Sequence, residues 1–235
     1  MSRLVRHRPG LDEILGACMN DFAARRHMMV EAQLRPSAID DERLLQAMGQ
    51  VPREAFLPRA LKGVAYGDED IVLGDGRRLI EPLVLGKLLQ AAAVRPSDVA
   101  LVIGCTTGYS AAVLGRLTST VFCLGADAEQ LAQAEKVFAE IGCDNAVPVV
   151  GDPAEGHPAQ APFDVILIAG AVSVVPEKLK AQLAEGGRLA TVLQSGRAGK
   201  AAVITRVGQA FGMVTPYDAA APEVPELRPA PAFTF

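Results

Sequence analysis

The chain has 235 residues, of which 50% are hydrophobic and 21% are charged, and its formal net charge at neutral pH is −4. This length and composition are typical of one α/β domain with a core of its own. The acidic balance, and the lack of a basic stripe interleaved with aromatic residues, exclude nucleic acid and an anionic membrane surface as general partners.

The cysteines and the N-terminus bear on the compartment of the protein. The cysteines are Cys18, Cys105, Cys123 and Cys143. None form a CxxC pair and no histidine spacing completes a metal site, so we expect neither a disulfide framework nor a metal. The N-terminal stretch lacks the apolar run of a signal peptide, and no run approaches the ~18 residues of a membrane span. We therefore expect a cytoplasmic protein that does not enter a membrane.

The N-terminal part is predicted to be helical, with one long loop. A first helix is predicted over residues 11–35, where apolar residues recur at helical spacing, and a second over residues 41–50. The glycine-rich residues 56–78 are predicted to be dominated by loops. A further helix is predicted over residues 82–93.

From residue 98 onward, short apolar strands alternate with helices. Strands are predicted at residues 99–103, 121–124, 147–150, 165–168 and 188–193, and a closing hairpin at residues 201–207 and 210–215. This alternation predicts an α/β fold with a doubly wound, mostly parallel sheet, a C-terminal antiparallel hairpin and N-terminal helices. The ligand site is expected beyond the carboxyl ends of the strands, where the strand order reverses.

We interpret residues 1–235 as a single domain with three parts. Residues 1–97 form an N-terminal helical and loop segment, residues 98–215 the core, and residues 216–235 a proline-rich tail. Pro222, Pro225, Pro229 and Pro231 exclude regular helix and central strand from this tail, so it is expected to pack over the sheet or over the mouth of the pocket.

The turn between the first parallel strand and its helix is the candidate ligand loop. It reads Gly104-Cys-Thr-Thr-Gly108, with glycines that let the backbone approach a ligand at a helix N-terminus. A tight turn that needs positive φ explains the two glycines equally well. The loop lacks the G-x-G-x-x-G pattern, which disfavours a dinucleotide site and a nicotinamide enzyme.

Several long segments carry a resemblance to one family, in collinear order. They are RRHMMVEAQLR at 25–35, IDDERLLQAMGQVPREAFLP at 39–58, VAYGDEDIVLGDG at 64–76, VALVIGCTTGYSAAVLGRL at 99–117, APFDVILIAGAV at 161–172 and LKAQLAEGGRLATVL at 179–193. Through these segments, most of the chain resembles the protein-L-isoaspartate O-methyltransferase family. The resemblance implies the S-adenosylmethionine-dependent methyltransferase fold.

The resemblance also implies a reaction, a cofactor and a partner. The methyl group of S-adenosylmethionine would pass to the carboxylate of an isoaspartyl residue, and the ester would then collapse to a succinimide. The partner would be a protein or peptide that carries isoaspartyl residues. A carboxylate is ionised at neutral pH, so alignment of the two groups, rather than a strong base, would supply most of the acceleration.

Carried over residue by residue, the family pattern assigns the cofactor site and leaves the catalytic position open. The residues matched to the cofactor are Gly104, Thr106, Gly108, Asp127 and Asp152. The family's active-site serine falls on Ile80, which cannot form a side-chain hydrogen bond, so no catalytic residue is assigned. The carboxylate that would bind the ribose hydroxyls falls on Gly125. Asp127 either reaches back to the ribose or caps the following helix with Gln130.

Three functions stay open on these residues. The first is an isoaspartyl methyltransferase with an altered site. The second is a non-catalytic relative that acts as a binding or interaction module. The third is a methyltransferase with a different acceptor, which needs the cofactor but not the serine.

Overall fold

The computed structural model describes residues 21–74, 77–105, 107–196 and 198–228. The helices are α1 (Phe22–Met28), α2 (Glu42–Gln50), α3 (Pro82–Ala91), α4 (Tyr109–Gly115), α5 (Ala128–Glu140) and α6 (Glu177–Ala181). The strands are β1 (Ile71–Gly74), β2 (Arg77–Leu79), β3 (Val99–Ile103), β4 (Thr120–Gly125), β5 (Ala146–Val150), β6 (Phe163–Val172), β7 (Leu183–Ser195), β8 (Ala198–Val207) and β9 (Ala210–Val214).

Seven strands within the described residues form one sheet in the order β5-β4-β3-β6-β7-β8-β9. Strands β3 to β7 pair in parallel, whereas β8 and β9 are antiparallel to their neighbours. This confirms the doubly wound, mostly parallel sheet and the C-terminal hairpin. The chain runs outward from β3 to β4 and β5, and then returns to the other side of β3 at β6. The strand order therefore reverses between β3 and β6, and a ligand crevice is expected there.

Strand β6 is longer than its neighbour β3. The pairing of β3 with β6 ends at Ile103 opposite Ile168, but β6 continues to Val172. Beyond Ile168, β6 still pairs with β7 on its far side, through Ala171 and Val172. Beyond Ile168, the edge of β6 that faces β3 therefore has no partner in β3, whose last residue, Ile103, directly precedes Gly104.

Two apolar clusters cover the faces of the sheet. One unites the N-terminal helices with α4 and α5, and the other contains Val172, Val175 and Leu179, from the end of β6 to α6. Helix α2 belongs to the first cluster. Asp41 caps its N-terminus by accepting a hydrogen bond from the backbone N–H of Arg43 at 2.9 Å. Both faces of the central strands β3 and β6 are thus buried, which explains their continuous apolar sequence.

The N-terminal half differs from the sequence prediction in two places. The part of the predicted helix 11–35 that is described starts at Phe22 and continues after α1 as a π-helix, Met29–Leu34. Met29 and Leu34 are five residues apart and both are fully buried, a spacing that fits the wider turn of a π-helix. The loop-dominated prediction for 56–78 was wrong for β1 and β2, which form an antiparallel hairpin hidden in glycine-rich sequence.

The strand predicted at 188–193 starts earlier. Leu183 pairs with Phe163, and Arg188 is the next paired residue, opposite Val165, so the residues between them form an irregular bulge. Gly186 lies in this bulge with φ +70°, a conformation that favours glycine.

A buried guanidinium ties the end of α3 to the sheet. Arg188 on β7 donates to the carbonyls of Ala92, Ala93 and Asp164 at 2.9, 3.0 and 3.1 Å, and to the carboxylate of Asp98 at 2.6 Å. Asp98, directly before β3, is only 3% exposed. The ion pair therefore sets the position of β3 against β6 and β7.

Replacing Arg188 by Met should lower the free energy of unfolding by about 3 kcal/mol, because it leaves a buried carboxylate without its cation. Urea denaturation measures this. Lys178→Met is the matched control: its partner Glu155 is about half exposed, so a loss of less than about 1 kcal/mol is expected. Equal losses in the two variants would contradict a structural role for the buried pair.

Candidate functional site

The candidate site is the crevice between the carboxyl ends of β3 and β6. Gly104 follows β3 directly with φ +73°, a conformation that favours glycine. A small, partly open cavity of about 70 Å³ lies beside it on the β4 side, bordered by Gly125, Asp127 and Leu131. Ligand pockets for molecules of cofactor size have volumes of roughly 300–1,000 Å³. The crevice itself lies where the fold predicts a ligand, but on its β6 side it is filled.

The proline-rich tail fills it by adding a short parallel segment to β6. The N–H of Ala171 donates to the carbonyl of Pro222 at 2.7 Å, and the N–H of Val224 donates to the carbonyl of Ala171 at 2.9 Å. Glu223 lies opposite Ala171 in this parallel bridge. The tail backbone thus runs beside the part of β6 that extends past β3.

The side chain of Val224 closes the crevice between two glycines. A Cβ atom on Gly104 would lie 2.9 Å from Val224 Cγ2, and one on Gly170 would lie 2.7 Å from the same atom. Val224 is 4% exposed and Leu227 is 5% exposed, and both belong to the apolar cluster beside α6. Glycine is required at both positions by the approach of the chain's own tail.

The tail reaches the crevice along the edge of β8. The N–H of Ala201 donates to the carbonyl of Tyr217, and the N–H of Ala219 donates to the carbonyl of Gly199, both at 3.0 Å. The ammonium of Lys87 lies 5.2 Å from the centre of the Tyr217 ring. The tail therefore extends the sheet at the edge of β8, rather than packing over it, before it reaches the mouth of the crevice.

Asp127 lines the crevice but is engaged in capping α5. Its Oδ1 accepts hydrogen bonds from the N–H groups of Glu129 at 2.9 Å and Gln130 at 3.2 Å, while Oδ2 accepts one from the Gln130 side chain. The N–H of Gln130, with the other two donors, holds the pKa of Asp127 below its ordinary value. In this arrangement the capping alternative from the sequence holds.

The other residues matched to the cofactor are not gathered at the crevice. Gly108 starts α4 with φ +93°, and a Cβ atom there would lie 2.7 Å from Ala134 Cβ, so this side of the glycine faces α5. Asp152 is exposed and accepts a hydrogen bond from the N–H of Ala154 at 2.8 Å. Thr106 lies outside the described residues.

A thiol at the floor of the crevice has an unusual environment. Burial alone would raise the pKa of the Cys105 thiol, but hydrogen bonds from the Cys123 thiol and from backbone N–H groups at the start of α4 lower it below its ordinary value. The same contact raises the pKa of Cys123. Cys105 therefore contacts both Cys123 on β4 and the start of α4.

Ile80 occupies the core. Its side chain is 1% exposed, and its carbonyl accepts a hydrogen bond from Nη2 of Arg53 at 2.7 Å. Arg53 is itself fully buried, with its guanidinium 4.7 Å from the centre of the Tyr109 ring. Burial lowers the pKa of Arg53. The position that the family gives to serine therefore lies on a buried cation–aromatic contact.

Neither a metal cluster nor a membrane-spanning helix occurs in the described residues. Among residues 21–74, 77–105, 107–196 and 198–228, no group of three or more His, Cys, Asp or Glu side chains is arranged to hold a metal ion. Within the part of the chain that the structure describes, no helix is long and apolar enough to cross a membrane.

Sequence reasoning missed Val224, Gly170 and Glu226, which all border the crevice. The available signal was the tail itself: apolar residues alternate there with prolines, which is uncommon in a solvated terminus. The tail could not be aligned with β6 from sequence alone, because the paired residues Ala171 and Glu223 are 52 positions apart in the chain.

Replacing Ile80 by Ser should lower the free energy of unfolding by about 3 kcal/mol, because it removes a buried aliphatic side chain and buries a hydroxyl. Ile80→Val is the control, with an expected loss of about 1 kcal/mol. Chemical denaturation distinguishes the two. A serine variant as stable as the parent chain would contradict the core position of Ile80.

The Asp127 cap should make stability depend on pH. Because its folded pKa lies below the ordinary 3.8, the carboxylate stabilises the fold at pH values above about 4, and this contribution is lost as the pH falls through the folded pKa. The difference in melting temperature between the parent chain and Asp127→Ala should therefore shrink from about pH 6 to about pH 3. A difference that stays constant over this range would contradict the capping role of the ionised group.

Comparison with known proteins agrees with this architecture. Residues 24–215 match the family model for protein-L-isoaspartate(D-aspartate) O-methyltransferase. A protein-L-isoaspartate O-methyltransferase of Koribacter versatilis is 41% identical over 171 residues, which are 73% of this chain and 77% of the relative. One from Methylorubrum extorquens is 43% identical over 169 residues, 72% of this chain and 74% of the relative.

Solved structures show the same fold. A Plasmodium falciparum protein assigned to this family, solved with S-adenosyl-L-homocysteine, has a TM-score of 0.73 at 17% identity, covering 86% of this chain and 98% of that one. Another protein-L-isoaspartate O-methyltransferase has a TM-score of 0.72 at 24% identity, covering 83% of this chain and 64% of that one. The chain belongs to the protein-L-isoaspartate O-methyltransferase family.

Proposed function

We propose that this protein transfers a methyl group from S-adenosylmethionine to the carboxylate of isoaspartyl residues in proteins. The observation that carries the proposal is the continuous family match over residues 24–215, which includes every strand that builds the crevice. The crevice also lies at the reversal of strand order, where α/β sheets bind their ligands.

The arrangement with the tail in place does not fit S-adenosylmethionine. The cavity of about 70 Å³ beside Gly104 is smaller than a pocket for a molecule of this size, and Val224 occupies the position between Gly104 and Gly170. Gly125 offers no carboxylate to a ribose. No step of the transfer follows from this arrangement.

Once the tail is displaced, the residues proposed to hold the cofactor are those matched from the sequence. Gly104 would let the backbone approach the ligand, and Asp127 lies at the rim of the same space. Thr106, Gly108 and Asp152 remain proposals without a contact that favours them. The substrate carboxylate is ionised at neutral pH, so the protein needs to align it rather than to remove a proton.

Gly125 offers a direct test of the cofactor site. A Cβ atom there would meet only Leu131, at an ordinary 3.6 Å, so Gly125→Asp fits the fold. In a chain cut after Ala221, the added carboxylate should tighten binding of S-adenosylhomocysteine roughly 10- to 150-fold, since a charge-assisted hydrogen bond contributes ~1.5–3 kcal/mol. Isothermal titration measures it, with Gly125→Asn as the control of equal size. Unchanged affinity would contradict the placement of the ribose beside β4.

A second candidate is a relative that binds isoaspartyl proteins or other partners without methyl transfer. The buried Ile80 at the serine position favours it, since no hydroxyl is available there. Both candidates have a protein or peptide partner.

We propose the cytoplasm as the compartment, which agrees with the free thiols of Cys105, Cys123 and Cys143.

The two candidates differ in one assay. The protein, as the full chain and as the chain cut after Ala221, is incubated with methyl-labelled S-adenosylmethionine and a peptide that contains isoaspartate. The matched control is the same peptide with ordinary aspartate. Label on the isoaspartyl peptide alone supports the proposal. Cofactor binding with no label on either peptide would overturn isoaspartyl transfer and leave a different acceptor or the non-catalytic relative.

A further inference from the structure

We propose that the crevice between β3 and β6 is a binding site for the chain's own segment 222–227, which competes with the cofactor for it. This inference rests on the proposed function, since it concerns the same site. The segment is bound in the way that an extended peptide joins a sheet edge: the main chain supplies the hydrogen bonds and alternate side chains fill pockets.

The backbone contacts are specific to this edge. Ala171 both donates to Pro222 and accepts from Val224, so its N–H and carbonyl are satisfied by the tail. Both groups are buried beyond the end of β3, where an unpaired backbone group is costly. The tail therefore satisfies a need that the length of β6 creates.

The side-chain contacts coincide with the cofactor position. Within the described end of the chain, from Pro222 to Arg228, the buried side chains are those of Val224 and Leu227. Val224 packs against Gly104, the glycine of the ligand loop, and Glu226 borders the same small cavity as Asp127. A cofactor and this segment cannot occupy the crevice together.

The contacts are few enough to be reversible. Among the described residues, two backbone hydrogen bonds and two buried side chains hold the segment at the crevice, while Tyr217 and Ala219 anchor the tail separately on β8. The surface ion pair at 2.8 Å joins Glu223 to Arg228, the residue directly after the segment, and makes no contact with the sheet. Release of residues 222–227 can thus leave the β8 anchor in place, and the tethered segment returns at high effective concentration.

The test compares cofactor binding with and without the segment. S-adenosylhomocysteine is titrated calorimetrically into the full chain, the chain cut after Ala221, and Val224→Asp. S-adenosylhomocysteine binds only those molecules whose segment has left the crevice, so its apparent affinity is reduced in proportion to that fraction. The two altered chains should therefore bind S-adenosylhomocysteine at least ten times more tightly than the full chain. Val214→Asp, at an exposed position of β9, is the matched control and should bind like the full chain.

A gentler variant covers the case in which the cut chain does not fold. Gly170→Ala would place a Cβ atom 2.7 Å from the carbonyl oxygen of Pro222 and should weaken the segment without removing it. Gly212→Ala, with nothing within 4 Å, is its control. Gly170→Ala should raise the affinity above that of this control.

The outcomes separate the two claims. Tighter binding in the released chains supports both. Equal binding in full and released chains overturns competition by the segment but leaves the proposed function standing. No binding in any folded chain overturns both the competition and the proposed methyl transfer.

Discussion

The structure depends on a mismatch in length between β3 and β6. The two strands pair in register up to Ile103 and Ile168, and β6 then continues alone on that side. Backbone groups buried beyond this point need a hydrogen-bonding partner. In this protein the partner is the chain's own tail, through Ala171. The same mismatch opens the crevice that the fold reserves for a ligand, so ligand and tail compete for one place.

Two glycines make this competition possible. Gly104 and Gly170 present bare backbone from β3 and β6, and a methyl group on either would collide with Val224. Bare backbone at this point is also what the approach of a bound cofactor needs. Around them, Asp127 caps α5, Gly125 offers no carboxylate, and Ile80 is buried in the core. The chain thus combines the fold of its family with other groups at the positions that the resemblance assigns to the cofactor and the substrate.

Much of the sheet could be predicted from sequence, because short apolar strands and intervening helices are local patterns. The loop at Gly104 and the cap at Asp127 followed from the same local reasoning. The π-helix after α1 could not be predicted, because the tertiary burial of Met29 and Leu34 overrides the local propensity for an α-helix. The β1–β2 hairpin could not be predicted, because its glycine-rich sequence favours loops. The position of the tail was also inaccessible, because it is set by pairing with a strand far away in the chain.

Segment 222–227 occupies the crevice in the full chain. Amide hydrogen exchange, resolved at Ala171 and Val224, measures this occupancy, because both N–H groups donate to partners across the contact between the tail and β6. We expect both amides to be protected in the full chain, and Ala171 to lose protection when the chain is cut after Ala221. Exchange of Val224 at the rate of an unstructured peptide, with Ala171 unaffected by the cut, would contradict it.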